Sequence, residues 1–314
     1  MNAPGRGLAV AAYSLLCLIW GTTWVVIQIG LEGIPPFSGV AIRFAIAALA
    51  LLGLAAALGV RLGGSPRERW LWIVNALLAF SASYGIVYWC EQWVPSGLAA
   101  VLFATYPIFV TILAHWALPS EPLGRRELAG ILTGFAGVGI IYSQDFEALG
   151  GPRVAVAAVV MLGSPLVSAF ASVAVKKWGA GIHPLSLTSV PMAMTAGIMG
   201  AIAFGMERRL PFTWSPASVG SIFYLAIMGS AVTFTLYYWL LSHFPAKRMA
   251  LIAYVIPVVA VAIGLARGEP LTGRILAGAG LVVTGVALAV NAFGEHGGAK
   301  PVAPGVSTPR EPRK

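Results

Sequence analysis

Ten apolar runs, each bounded by glycine, proline or charged residues, divide almost the whole chain between them. They fall at roughly Leu8 to Gly30, Pro36 to Val60, Trp70 to Gln92, Val94 to Leu118 and Glu127 to Tyr142, and then at Val154 to Val175, Pro184 to Met206, Pro216 to Ser242, Pro245 to Ala266 and Gly273 to Phe293. Crossing a bilayer takes about 20 apolar residues. Hydrocarbon offers the backbone no hydrogen-bond partners, so runs of this length must satisfy their own amides as helices. The expected fold class is an all-α membrane protein of ten transmembrane helices. With 58% hydrophobic and only 10% charged residues, a water-soluble globule is excluded. Short loops leave no room for a catalytic domain outside the membrane.

The first run is longer than a secretory signal core and no small-residue cleavage site follows it, so it is expected to stay as a helix. Leu16 stands where a lipoprotein cysteine at Cys17 would need a small residue. Cys17 and Cys90 both lie inside apolar runs, which speaks against a disulfide framework. Neither a metal nor a cofactor is expected.

Positive charge separates cleanly when loops are read alternately. Arg6, Arg61, Arg67, Arg69, Arg125, Arg126, Lys176, Lys177, Lys247, Arg248 and the tail residues Lys300, Arg310, Arg313 and Lys314 share one side. Only Arg153, Arg208, Arg209, Arg267 and Arg274 share the other, and Arg43 lies within the second run. The positive-inside bias then puts both termini in the cytoplasm of a multi-pass protein of the cell inner (plasma) membrane. No basic, aromatic-interleaved face exists, so the net charge of +9 predicts no nucleic-acid partner. Residues 294–314, rich in Gly, Pro and Lys, are expected to form a disordered cytoplasmic tail.

The chain repeats itself. Glu121, Pro122 and Leu123 recur as Glu269, Pro270 and Leu271, and Arg126, Leu128, Ala129, Gly130, Gly137 and Val138 match Arg274, Leu276, Ala277, Gly278, Gly285 and Val286. Upstream, Tyr88, Trp89, Pro95, Ala100 and Pro107 match Tyr238, Trp239, Pro245, Ala250 and Pro257. The units are residues 8–142 and 154–293, with five runs each. Five is odd, so the second unit enters the membrane from the opposite side, giving an inverted repeat of the kind that lets a midplane site face either compartment in turn.

Trp20 and Gly21 in the first run, Arg43 and Phe44 in the second, the proline-centred fourth and ninth runs and the two Glu-Pro-Leu turns resemble EamA-type members of the drug/metabolite transporter superfamily. The resemblance spans about residues 8 to 293. It implies ten helices in two five-helix repeats and export of amino acids or other small metabolites. The run from Val154 to Val175 departs from it by lacking the Trp-Gly pair.

Polar and aromatic residues inside the runs mark candidate substrate contacts, because lipid cannot solvate them. Ser81, Tyr84 and Tyr88 share one helical face; Ser230, Thr233 and Tyr237 share another; Ser164, Ser168 and Ser172 form a third stripe, and Trp20, Trp24 and Gln28 a fourth. For each, substrate contact competes with helix packing, since hydroxyls also join helices and aromatics anchor interfaces. Pro107 and Pro257, flanked by Tyr106 and Tyr254, are candidate hinges or static kinks that free carbonyls at Phe103 and Ala253. Arg43 is read either as a snorkelling or structural residue paired with Glu32 or Glu91, or as an attractor for an anionic group of the substrate.

No acid lies deep inside a run, Glu91 being the nearest, and His115, His183 and His243 sit near run ends. Facilitated rather than tightly ion-coupled movement is expected on that ground. The glycines of the fifth and tenth runs predict that these two helices pack together, with homodimerisation as the alternative, so the partners expected are a small-molecule substrate, the lipid bilayer and at most a weak homodimer of an otherwise monomeric chain. Neutral or aromatic amino acids suit an uncharged aromatic pocket, and a multidrug or nucleoside-type exporter is the nearest alternative. A membrane enzyme would need a nucleophile with its base or a metal cluster, for which no residue set is present.

Overall fold

The structure, a computed structural model, describes residues 5–94, 96–141, 152–266 and 273–296, and every regular element among them is a helix. In chain order they are α1 (Arg6–Leu31), α2 (Pro36–Ala57), α3 (Pro66–Cys90), α4 (Ser96–Phe103), α5 (Tyr106–Ala117), α6 (Arg125–Ile141), α7 (Pro152–Trp178), α8 (Pro184–Met206), α9 (Pro216–His243), α10 (Ala246–Ala250), α11 (Ile252–Ala266) and α12 (Gly273–His296). Among the described residues, seven helical stretches are long and apolar enough to cross a membrane: Gly7–Leu31, Pro36–Ala57, Pro66–Cys90, Leu98–Ala117, Pro152–Trp178, Pro184–Met206 and Pro216–His243. α6, α11 and α12 are the remaining apolar helices.

Local sequence explains where helices start. Proline is the first residue of α2, α3, α7, α8 and α9, where its missing N–H costs nothing and its fixed φ suits the turn. Ser65 caps α3 by accepting from the Glu68 amide, and Ser215 and Ser218 cap α9 reciprocally. A carboxylate from elsewhere in the chain serves α2: Glu207 accepts from the amides of Phe37 and Ser38 at 2.9 and 2.7 Å, satisfying orphan donors at the positive end of the helix.

Irregular backbone interrupts several of the described helices, including a turn at Leu162 within α7. The fourth run breaks at Ala104 and Thr105 between α4 and α5, so Pro107 sits in the first turn of α5 rather than in the middle of a kinked helix. The ninth run breaks at Leu251 between α10 and α11, ahead of Pro257, which remains inside α11. α3 and α9 each contain a π-helical stretch, at Asn75–Ala82 and Ile227–Val232. Such turns take carbonyls out of the regular ladder and need outside donors.

The two repeats interleave. α6 packs along α12, α2 along α8, α5 against α7, and α1 against α9 and α11. Glycine sets the first of these contacts: a Cβ on Gly130 would lie 2.6 Å from the carbonyl oxygen of Gly285, and one on Gly137 would lie 2.7 Å from that of Gly278. The glycines of the fifth and tenth runs therefore face each other within one chain, as expected. Loops join the repeats at both ends of the bundle. Where α1 begins, Arg67 Nη2 donates to the Ala180 carbonyl at 2.9 Å, and Lys247 and Glu127 form a buried ion pair at 2.6 Å. At the opposite end, the Thr213 amide donates to the Gly33 carbonyl at 2.7 Å.

α12 reaches His296, so the first residues assigned to a tail are helical; the rest of that tail, and the second Glu-Pro-Leu turn at Glu269, Pro270 and Leu271, lie outside the described residues.

Candidate substrate cavity

A cavity of about 100 Å³ lies between the repeats. A single water needs about 10–15 Å³ on this measure, so the space suits one small metabolite and not a continuous pore. α1 contributes Trp20, Thr23, Trp24 and Ile27; α3 contributes Ala79, Ser83, Tyr84 and Val87; Phe103 and Tyr106 flank the break between α4 and α5. The second repeat supplies Ser168 and Ser172 from α7, Phe234, Tyr237 and Tyr238 from α9, and Ile252 and Ile256 from α11. Ile27 and Val87 lie within a turn of the ends of α1 and α3, so the space extends from mid-bundle toward the end opposite the chain's start.

Aromatic edges build the wall. Trp20 meets Phe234 and Tyr237 at ring separations of 5.3 and 5.7 Å, Tyr84 meets Phe234 at 6.1 Å, and Phe103 stacks on Tyr106 at 5.7 Å. These edge and offset arrangements suit the ring quadrupoles and hold the walls in fixed rotamers. Hydroxyls cluster at two places. Tyr106 donates to Ser172 at 2.7 Å, and the Tyr237 hydroxyl lies within hydrogen-bond reach of both, 2.7 Å from the Tyr106 oxygen and 3.1 Å from Ser172. Higher on the same wall, Ser168 donates to Ser83 at 2.8 Å, and Ser83 and Ser164 share a bond of 2.8 Å. The indole Nε1 of Trp20 is buried with no acceptor among the described residues.

Seven of the residues singled out in the sequence come together here: Trp20, Trp24, Tyr84, Tyr106, Ser168, Ser172 and Tyr237. The others are placed elsewhere. Ser81 donates to Thr195, Ser164 is bonded behind Ser83, and Tyr254 packs its ring on Gly134 and donates to the Ile131 carbonyl at 2.8 Å. Thr233 is fully buried outside the lining, its hydroxyl without a partner among the described residues. Tyr88 and Arg43 lie behind the wall. The Arg43 side chain is fully buried: Nε donates to Ser230 at 2.8 Å, Nη2 to the Gly229 carbonyl at 2.9 Å and Nη1 to Tyr88 at 3.3 Å. Its guanidinium stands 4.7 Å from the Tyr84 ring centroid. Neither Glu32 nor Glu91 forms an ion pair with it among the described residues, so the carboxylate latch is replaced by a π-turn carbonyl, two hydroxyls and an aromatic face. Pro107 and Pro257 sit beside the breaks rather than at them; the irregular backbone is at Ala104, Thr105 and Leu251.

Thr23 and Ile27 continue the Trp20 face, so helical spacing already pointed to them. Ala79, Val87, Phe103, Phe234, Ile252 and Ile256 carry no polar tag that separates them from lipid-facing neighbours.

Long apolar helices from two repeats, closing around a small cavity, fit a membrane transporter. The chain belongs to the EamA-like transporter family, which matches residues 7–143 and again residues 155–291. Among its relatives, the uncharacterized inner membrane transporter YedA of Escherichia coli (strain K12) is 32% identical over 274 residues, covering 83% of each chain. The uncharacterized transporter YoaV of Bacillus subtilis (strain 168) is 26% identical over 275 residues, 86% of this chain and 92% of that protein. Protein PagO of Salmonella typhimurium (strain LT2) is 25% identical over 252 residues, 80% of this chain and 82% of that one. The fold matches a protein of known crystal structure with a TM-score of 0.78 at 18% identity, over 93% of this chain and 99% of that chain.

Proposed function

We propose that this protein exports neutral or aromatic amino acids across the inner membrane by alternating access. The observation that carries the reading is the cavity lining, which pairs aromatic walls with clustered hydroxyls and, among the described residues, contains no acidic or basic side chain. Aromatic faces suit an apolar side chain, and hydroxyls, which both donate and accept, suit the carboxylate and ammonium groups.

The same reading takes the chain as ten crossings in two inverted five-helix repeats, residues 8–142 and 154–293, with both termini cytoplasmic. Its supports are the repeated sequence, the paired breaks and paired π turns, and the way each repeat packs its helices on those of the other. With the chain's start in the cytoplasm, the cavity lies toward the periplasmic half. Toward the cytoplasm the Tyr106, Ser172 and Tyr237 cluster is backed by Lys176, which donates to the carbonyls of Leu241 and Phe244 at 2.9 and 2.7 Å, and by the Lys247 and Glu127 pair. The close approach of α6 and α12 uses their glycine faces within the chain, which supports a monomer.

A thermal-shift screen of purified protein against amino acids and nucleosides, followed by counterflow of radiolabelled phenylalanine in proteoliposomes, tests the reading. Saturable counterflow, lost in Tyr84→Ala and Tyr106→Ala variants that still fold, is the expected result. Stabilisation by nucleosides alone moves the substrate to the nucleoside or multidrug class, and unchanged kinetics in both variants removes the cavity from transport.

A further inference from the structure

Glu91 is the first residue beyond α3. It is 5% exposed and neither carboxyl oxygen has a hydrogen-bond partner among the described residues. Other buried acids are engaged: Glu207 accepts at the start of α2, Glu121 accepts from the Ala246 and Lys247 amides at the start of α10, Glu68 accepts from the Gly63 amide and the Ser186 hydroxyl, and Glu127 pairs with Lys247. An ionised carboxylate buried without a donor is expensive, and a neutral acid is the form such a site tolerates. Burial accordingly pushes the Glu91 carboxyl well above the ordinary carboxylate range, against the opposing pull of the Arg43 charge.

The surroundings supply what the ionised form would need. Of the elements packed on this end of α3, α2 brings Arg43, and α7 brings Arg153, an exposed residue in a separate hollow with Trp89 and Trp93; Lys176 and Lys177 stand at the far end of α7. α3 itself contributes Tyr84, Tyr88 and Cys90, whose thiol donates to the Ala157 carbonyl. Arg43 makes its longest bond, 3.3 Å, to Tyr88, and Tyr88 precedes Glu91 by three residues, which places both on one face of the helix. The same guanidinium stacks on Tyr84, a wall of the cavity.

We propose that Glu91 is a proton-binding site: it holds its proton in this conformation, and on releasing it to water it draws Arg43 Nη1 away from Tyr88 and shifts the Tyr84 wall of the cavity. The carboxylate gains an ion pair, the Tyr88 hydroxyl loses a donor, and nothing else changes hands. The expectation of uncoupled movement came from the lack of an acid inside the apolar runs; this acid lies behind the cavity rather than in it, and ties substrate access to protonation. The proton site stands on its own geometry, and only its consequence for transport rests on the function proposed above.

The test needs no substrate. Infrared titration of the full chain in lipid nanodiscs is expected to show a protonated-carboxyl band at neutral pH that fades as pH rises and is missing from Glu91→Gln. In a background with Cys17 and Cys90 replaced by Ala, maleimide labelling of Ser168→Cys is expected to change severalfold from mildly acidic to alkaline pH, and to become pH-independent when Glu91→Gln is added. A carboxyl whose pKa is raised by folding gives its full stabilisation in acid and loses it as pH climbs through the folded value, so Glu91→Gln also flattens that slope in thermal unfolding. Identical infrared spectra for wild type and Glu91→Gln, or pH-dependent labelling that survives the substitution, would overturn the proposal. Failure of phenylalanine counterflow bears on the proposed substrate and leaves these readouts intact.

Discussion

The π-helical stretches of α3 and α9 present the same backbone problem in the two repeats, and they are mended in different ways. In α3 the donor comes from α8: Thr195 donates to the Ala76 carbonyl at 3.1 Å and receives the Ser81 hydroxyl at 3.3 Å, while Asn75 reaches across to the Leu187 carbonyl at 3.1 Å. In α9 the donor comes from α2, and it is a cation: Arg43 serves the Gly229 carbonyl, Ser230 and, across the bundle, Tyr88. The repair in α3 uses only neutral groups. The charged repair ties α2, α3 and α9 into one cluster and leaves a buried positive charge facing aromatic rings instead of a carboxylate. The two repeats carry matching π turns, and the one in α9 is served by a cation.

That difference can be broken by substitution. Arg43→Met leaves a π-turn carbonyl and two hydroxyls without their donor, and a loss of about 3 kcal/mol or more is expected in thermal unfolding. Thr195→Val removes one neutral donor and should cost about 1–2 kcal/mol. Equal losses in the two variants would show that the charge of Arg43 adds nothing to the repair. Ser81→Ala, which deletes only a long bond, should cost about 0.5 kcal/mol, and its transport should match the wild type. A large transport defect in Ser81→Ala would return this residue to the cavity, where its helical stripe first put it.

The helices and their pairing were legible because hydrophobic length and glycine placement decide them before any side-chain detail. The Gly130, Gly137, Gly278 and Gly285 faces met as their spacing implied. Less could be read of the cavity. A stripe such as Ser81, Tyr84 and Tyr88 defines one helical face, yet Tyr84 lines the space while Ser81 turns to α8 and Tyr88 to Arg43. The local underwinding at Asn75–Ala82 rotates the residues on either side of it, and α-helical spacing cannot register that rotation. Ile252 and Ile256 are chemically the same as residues facing lipid, so only the path of α11 reveals them. Pro107 and Pro257 marked the interrupted runs but not the interruptions themselves, which fall where the backbone turns at Ala104, Thr105 and Leu251.

The central claim is that one cavity, walled by both repeats, is reached from each side of the membrane in turn. Ser168→Cys in a chain without Cys17 and Cys90, reconstituted in vesicles and treated with a membrane-impermeant maleimide from one side at a time, tests it most directly. Labelling from either side, with each side's reaction blocked by prior treatment from the other, is the expected result. A thiol that reacts from one side only, however long the exposure, would contradict it.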